Sequence, residues 1–260
     1  MDSREFMYDQ PSVLLALALF VLMLLANEVG YRIGHHVKDR LNEDIKKQAG
    51  SIHTGILGLL GLLLAFTFNM SMQRYDNRSY AVIKEANAIG TALLRTQLLP
   101  SPYDSVTYSL LQQYVAIRLK ASNVDLTRFD ERHRLNKETD SLQHAIWRNA
   151  MLASDLDARP VTTGYFIAAM NETIDARGER NAILERHVPE PILLLLYSIF
   201  IASGVLMGYL SGLGTKRSYV PTVIMTLLIV LLVFIIIDLD RPRRGLIKIR
   251  QDSMVELLVQ

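Results

Sequence analysis

Hydrophobic residues form four long runs along the chain, and each run is long enough to cross a lipid bilayer. The runs cover residues 12–33, 52–70, 192–213 and 220–237. A helix of about 20 residues spans a hydrocarbon core of about 30 Å, and it satisfies its own backbone hydrogen bonds in lipid. The pattern therefore predicts an all-α, polytopic membrane protein with four transmembrane helices.

Polar residues between the second and third runs predict a helical domain. No proline interrupts residues 52–99, so the second helix should continue beyond the bilayer until Pro100, because the residue before a proline disfavours helix. A new helix should follow with Ser101 as its N-cap, and the charged stretch 128–140 is interpreted as a solvated connection between helices. We divide the chain into four segments: a first transmembrane hairpin (1–70), a helical domain (71–188), a second transmembrane hairpin (189–238) and a basic amphipathic tail (239–260). The helical domain is inserted between the second and third spans and is continuous with the second span.

Basic residues predict the orientation of this arrangement. Four spans place both termini and the helical domain on one side of the membrane, and leave the short loops 35–51 and 214–219 on the other. Twelve lysines and arginines flank the spans on the first side, including Arg4, against six in the short loops, including Lys216. Because basic residues favour the cytoplasmic side, the termini and the helical domain are expected to be cytoplasmic.

Composition argues against several functional classes. The formal net charge is +2, so nucleic acid is not an expected partner. The absence of cysteine excludes disulfides, thiolate metal sites and cysteine nucleophiles. The histidines have no spacing suited to a shared metal ion, and no phosphate loop or nucleophile motif occurs. We therefore predict no enzyme activity, no metal and no cofactor.

The second helix carries a line of residues that changes from apolar to polar. Leu62 and Phe66 lie on the apolar part, and Asn69, Gln73 and Asn77 continue the line at intervals of three or four residues. One interpretation is a constriction that opens into a polar vestibule, as in ion channels. The alternative is that Asn69 marks the edge of the membrane and that the other two side chains are solvated.

Charged residues occupy a neighbouring face of the same helix: Arg74, Arg78, Glu85 and Arg95. They could form ion pairs with acids of the helical domain, such as Glu172 or Asp175. Alternatively, the first two arginines could attract anions at the point where the helix leaves the membrane.

Small residues predict close helix packing on the third span. Gly204, Gly208 and Gly212 recur at every fourth position, which leaves a bare stripe that another helix can approach. The stripe could pack within one subunit or between two subunits.

The end of the fourth span combines acids with arginines: Asp238, Asp240, Arg241, Arg243 and Arg244. Arginines at a membrane exit suit anionic lipid headgroups, each contributing about 1 kcal/mol. The two acids could hold the arginines in place, or they could meet Arg74 and Arg78.

Several runs of sequence resemble the bacterial bestrophin-like domain family. The most specific are Glu-Ala-Asn-Ala-Ile-Gly-Thr at 85–91 and Asp-Leu-Asp-Arg-Pro at 238–242, and Arg-Tyr-Asp-Asn-Arg at 74–78 adds to them. Bestrophins are pentameric anion channels whose second helix lines the pore with an apolar neck. The resemblance implies a homo-oligomer in a bacterial inner membrane. By analogy with the bestrophins, this homo-oligomer would be a pentamer. It also implies a neck made by Leu62, Phe66 and Met70, or by Leu64 and Phe68.

We therefore expect an oligomeric, channel-like membrane protein that conducts small anions along its second helix. The alternative is a non-conducting scaffold or sensor whose helical domain binds a cytoplasmic partner.

Overall fold

The computed structural model describes residues 10–214, 217 and 219–259. This part of the chain is helical and contains no strands. Arg4 and Lys216, which contributed to the orientation count, lie outside it. The helices are α1 (Ser12–Val37), α2 (Glu43–Arg95), α3 (Tyr103–Ser122), α4 (Phe129–Leu156), α5 (Tyr165–Leu184), α6 (Glu190–Leu213), α7 (Tyr219–Leu239) and the short α8 (Asp252–Val255).

Four of these helices, α1, α2, α6 and α7, are long and apolar enough to span a membrane. The prediction of an all-helical chain with four long apolar helices is confirmed. The link between the first two spans is shorter than predicted, because α1 continues to Val37 and α2 already begins at Glu43. Only a 3₁₀ turn, Lys38–Arg40, and two further residues separate them. Most of the predicted 35–51 loop is thus helix.

The chain forms two compact units, which are described separately. The transmembrane unit contains Met1–Gln73 and Val188–Asp240. In it, α1 packs against α6 and α7. Its apolar core contains Leu19 and Met23 of α1, Phe200 of α6 and Ile236 of α7, all almost fully buried. These helices bury apolar faces against one another, and their remaining apolar side chains are exposed outward, as expected for surfaces in contact with lipid.

The helical unit contains Arg74–His187 and Arg241–Gln260. Its core joins α2, α3, α4 and α5 through side chains such as Ile89, Tyr114 and Phe166, each fully buried. The tail belongs to the same core, because Met254 and Leu257 pack into it. Apolar burial of this extent is the main stabilising contribution to a helical domain in water.

Two local predictions for this unit were wrong. Residues 129–140 form the first half of α4 instead of a connection, because Leu135 is buried against Ala121 and Val124. Ser101 does not cap α3, which begins at Tyr103, with Pro102 in the N-cap position and no side-chain cap hydrogen bond. Ser101 is therefore one residue too early to cap the helix.

Candidate functional site

Helix α2 has two different faces along its apolar part. Leu60, Leu64, Thr67 and Ser71 are buried in the transmembrane unit. Their spacing of four, three and four residues places them on one side of the helix. Leu64, one member of the alternative neck, is therefore occupied in packing within the chain.

The residues predicted to form the constriction lie on the opposite face of α2. Leu62 is 53% exposed, Phe66 61% and Met70 44%. Residues of this size are seldom left open in water, and in a membrane protein such a face meets lipid, another subunit or a path through the assembly. None of the described residues of the chain packs over this face.

The polar residues of the predicted vestibule continue this uncovered face. Asn69, Gln73 and Asn77 are all exposed, and a rotation of 100° per residue keeps them within about a quarter turn of Leu62. The structure thus brings the apolar and polar halves of the predicted path onto one side of α2.

Glycines on α2 widen the same uncovered surface. A Cβ atom added to Gly55, Gly58 or Gly61 would meet no atom within 4 Å. These three glycines therefore serve no close packing against the described residues of the chain. At these positions the backbone of α2 is accessible to lipid or to another subunit.

The glycine stripe of α6, in contrast, is already occupied within the chain. A Cβ on Gly208 would stand 1.9 Å from the carbonyl oxygen of Asn27 on α1, and one on Gly212 would stand 2.4 Å from that of Tyr31. Gly30 and Gly34 of α1 reciprocate, since a Cβ on each would lie 1.9 Å and 2.2 Å from carbonyl oxygens of α6. Bare backbone on both helices allows this approach.

Beyond the apolar part, α2 carries a fully buried carboxylate in the helical unit. Arg118 of α3 donates to both oxygens of Glu85, from Nε at 2.6 Å and from Nη2 at 3.0 Å. Arg180 of α5 donates from Nη1 to the Glu85 Oε2 at 2.7 Å. Glu85 is 0% exposed, and the two arginine side chains are 4% and 3% exposed. Three helices thus meet at one carboxylate.

Glu85, Arg118 and Arg180 form a buried triad. Burial shifts the pKa of Arg180 within it and of the nearby Tyr114. Burial lowers the pKa of Arg180, and the nearby Arg118 guanidinium lowers it further, while Glu85 opposes the shift. Burial and the Glu85 carboxylate raise the pKa of Tyr114 to about 12. One carboxylate therefore pairs directly with two desolvated guanidinium groups, and charge burial of this kind is costly unless every partner is present.

The arginines predicted on α2 have different surroundings. Arg78 is 1% exposed and donates from Nη2 to the carbonyl oxygen of Arg186, just past the end of α5, at 2.5 Å. Arg95 donates to the carbonyl oxygen of Tyr165 at 2.9 Å and lies over its ring. Arg74 is half-buried. Of these three, only Arg78 is fully buried, and Arg74 is the one that adjoins Gln73 of the polar line.

The acids at the end of α7 and the arginines that follow belong to different units. In the transmembrane unit, Asp238 accepts a hydrogen bond from Ser12 Oγ at 3.0 Å, and Asp240 accepts one from the backbone N–H of Val188 at 2.8 Å. In the helical unit, Arg241 is 3% exposed, whereas Arg243 and Arg244 are half-buried. The buried Arg241 is therefore poorly placed for a lipid headgroup.

Sequence reasoning missed Arg118 and Arg180, although both carried a signal. Arg118 lies one turn after the buried Tyr114, and Arg180 one turn before the buried Leu184. An arginine on the apolar face of a helix needs a buried acid, and Glu85 occupies the corresponding position between the buried Val82 and Ile89 of α2.

Together, the fold and the four long apolar helices define an integral membrane protein of the all-helical class. The chain matches the Bestrophin-like domain family over residues 17–254. It belongs to this family, which confirms the resemblance seen in the sequence. A search of curated proteins gave no match.

Solved structures support the same fold. The chain is similar to two crystallised mutants of a bacterial bestrophin homologue from Klebsiella pneumoniae, with 14% sequence identity to each. The TM-scores are 0.66 and 0.67, and the matches cover 92% and 93% of this chain and 99% of the other. The likeness establishes that the two proteins share a fold.

Proposed function

We propose that the protein assembles into a homo-oligomer in the bilayer and conducts small anions along a path lined by α2. One observation carries the proposal: α2 is packed on its Leu60 and Leu64 face, while the Leu62, Phe66 and Gln73 face is uncovered. Membership in the bestrophin-like family supports a channel-type protein. The family resemblance also leads us to expect five subunits.

The order of residues along this face suits conduction. A ring of Leu62, Phe66 and Met70 side chains would form an apolar constriction, which controls ion passage by disfavouring water. Asn69, Gln73 and Asn77 would then rehydrate the ion in the vestibule. Arg74, half-buried beside them, would supply the positive potential that favours anions.

Replacing Phe66 by alanine tests the constriction. We expect a severalfold increase in chloride flux when the purified variant is reconstituted in liposomes, because a smaller ring admits water more easily. Phe68→Ala is the matched control. It removes the same side chain from a half-buried position that packs on the core of the transmembrane unit, so its flux per folded protein should stay at the wild-type level.

The result also separates the channel from its alternative. If wild type and Phe66→Ala are both silent, the chain is a non-conducting scaffold or sensor, and the path along α2 is wrong. If flux is present, Arg74→Glu should shift selectivity toward cations, and more strongly at low salt, because screening weakens the local potential. Unchanged selectivity would remove Arg74 from the proposed path.

The orientation is tested separately. We propose a bacterial inner-membrane protein with both termini and the helical unit in the cytoplasm, since the flanking lysines and arginines favour this side. Reporter fusions at the exposed Asp130 and at the C-terminus should both give cytoplasmic signals. A periplasmic signal at either site would contradict the orientation and, with it, the expected contact of Arg243 and Arg244 with anionic headgroups.

A further inference from the structure

A small pocket lies in the helical unit where the tail meets α2, α3 and α5. Its volume is ≈ 70 Å³. A cavity needs about 10–15 Å³ of accessible volume to hold one water. The pocket therefore has room for several waters or for one small polyatomic ion. The polar residues that line it are Ser122, Asn123, Arg180, Arg243, Lys248 and Gln251.

The lining of this pocket is positive. Three of its side chains are cationic, and among the described residues none that lines it is acidic. The amides and the hydroxyl add hydrogen-bonding groups that suit oxygen atoms. A concave, basic and hydrogen-bonding surface of this size is suited to a small oxyanion, because charge-assisted hydrogen bonds to arginine and lysine are stronger than neutral ones.

The interior next to the pocket has an unbalanced charge. Arg118 and Arg180 share the single carboxylate of Glu85, and all three side chains are buried. Arg180 uses Nη1 for Glu85 and Nη2 for Gln251 of the tail, while its buried Nε has no hydrogen-bond partner among the described residues. An anion beside Arg180 would offset the second guanidinium, whose burial is otherwise costly.

We propose that this pocket binds one small oxyanion of the phosphate class, held by Arg180, Arg243 and Lys248. The anion fastens the tail to α5 within the helical unit, because Arg243 and Lys248 belong to the tail and Arg180 belongs to α5. Other contacts already position the tail for this role: Arg243 donates to the carbonyl oxygen of Val124 at 3.2 Å, and Arg180 donates to Gln251 at 2.9 Å. The proposal is independent of conduction.

The phosphate group could come from two sources. One is free inorganic phosphate. The other is a lipid headgroup, since Pro242 and Arg243 follow within four residues of the end of α7. The two share the same recognition chemistry, and the experiment separates them.

Trp147 offers a native reporter for the test. It is the only tryptophan of the chain, and it packs against the core of the helical unit. We would follow its fluorescence during thermal unfolding of the full-length protein, at constant ionic strength set with sodium chloride. At a phosphate concentration of about ten times the dissociation constant, the unfolding midpoint should rise by about 3–6 °C.

Lys248→Gln is the informative variant, because the exposed Lys248 side chain can be replaced without disturbing the core. We expect it to weaken the apparent phosphate affinity by about tenfold or more. Arg250→Gln is the matched control. Arg250 lies two residues further along the tail, pairs with Asp252 and is 84% exposed, so its variant should respond to phosphate as wild type does.

Each outcome decides the proposal. A response to inorganic phosphate that Lys248→Gln weakens supports a site for the free anion. If inorganic phosphate has no effect but nanodiscs containing phosphatidylglycerol raise the midpoint relative to phosphatidylcholine nanodiscs, and Lys248→Gln removes the rise, the site takes a headgroup. No response to either probe overturns the proposal. So does a response that Lys248→Gln and Arg250→Gln weaken equally, since that indicates general screening.

Discussion

Replacing Glu85 by glutamine should lower the free energy of unfolding of the helical unit by about 3–5 kcal/mol, the usual cost of removing one partner from a buried ion pair. The amide keeps the shape of the side chain but leaves Arg118 and Arg180 as buried charges without a carboxylate. Chemical denaturation followed by Trp147 fluorescence measures the loss. We expect the backbone helices to form at low denaturant, because the surrounding apolar core is unchanged.

Glu179→Gln is the matched control for this substitution. Glu179 pairs with Lys84 at the surface, where the two side chains are 43% and 48% exposed, so its loss should cost far less than that of Glu85, because solvent screens exposed ion pairs. Combining Glu85→Gln with Arg180→Gln provides a further check. The two effects should not add, because the residues contact each other. Strictly additive losses, or an effect of Glu85→Gln no larger than that of Glu179→Gln, would contradict a stabilising triad.

The amino-acid pattern was sufficient to predict the four long apolar helices and the continuation of α2 beyond its apolar part. These features depend on local information, namely the length of an apolar run and the position of Pro100. The line of Leu62, Phe66, Asn69, Gln73 and Asn77 was predictable for the same reason, since helical periodicity alone places these residues on one face.

Features that depend on other helices were not predictable in this way. The partners of Glu85 lie 33 and 95 residues away, and only the packing of three helices brings them together. The first half of α4 was not predicted to be helical, because its sequence is a dense run of charged residues. In the structure the buried Leu135 packs this segment against Ala121 and Val124. The role of the α6 glycines could not be predicted, because a glycine stripe does not identify the helix that packs against it. In the structure this helix is α1, whose Gly30 and Gly34 face α6.

Replacing Gly208 by leucine should disrupt the protomer itself. Any Cβ at this position would lie 1.9 Å from the Asn27 carbonyl oxygen, far inside contact distance, and the obstacle is backbone that cannot rotate away. Helices α1 and α6 would have to separate by about 1 Å or more in a densely packed interface. We expect a loss of at least about 3 kcal/mol, toward the upper end for overpacking. Thermal unfolding of the detergent-solubilised protein, followed by circular dichroism, measures it.

Gly58→Leu makes the same change on α2, where an added Cβ would meet nothing within 4 Å. The folded protomer should therefore tolerate it, and its unfolding midpoint should stay close to that of wild type. If the uncovered face of α2 lies against a neighbouring subunit, the bulky side chain should instead reduce assembly, and size-exclusion chromatography with light scattering would detect smaller species. The two glycines thus distinguish packing within a chain from packing between chains. A Gly208→Leu variant as stable as wild type would contradict the close contact between α1 and α6.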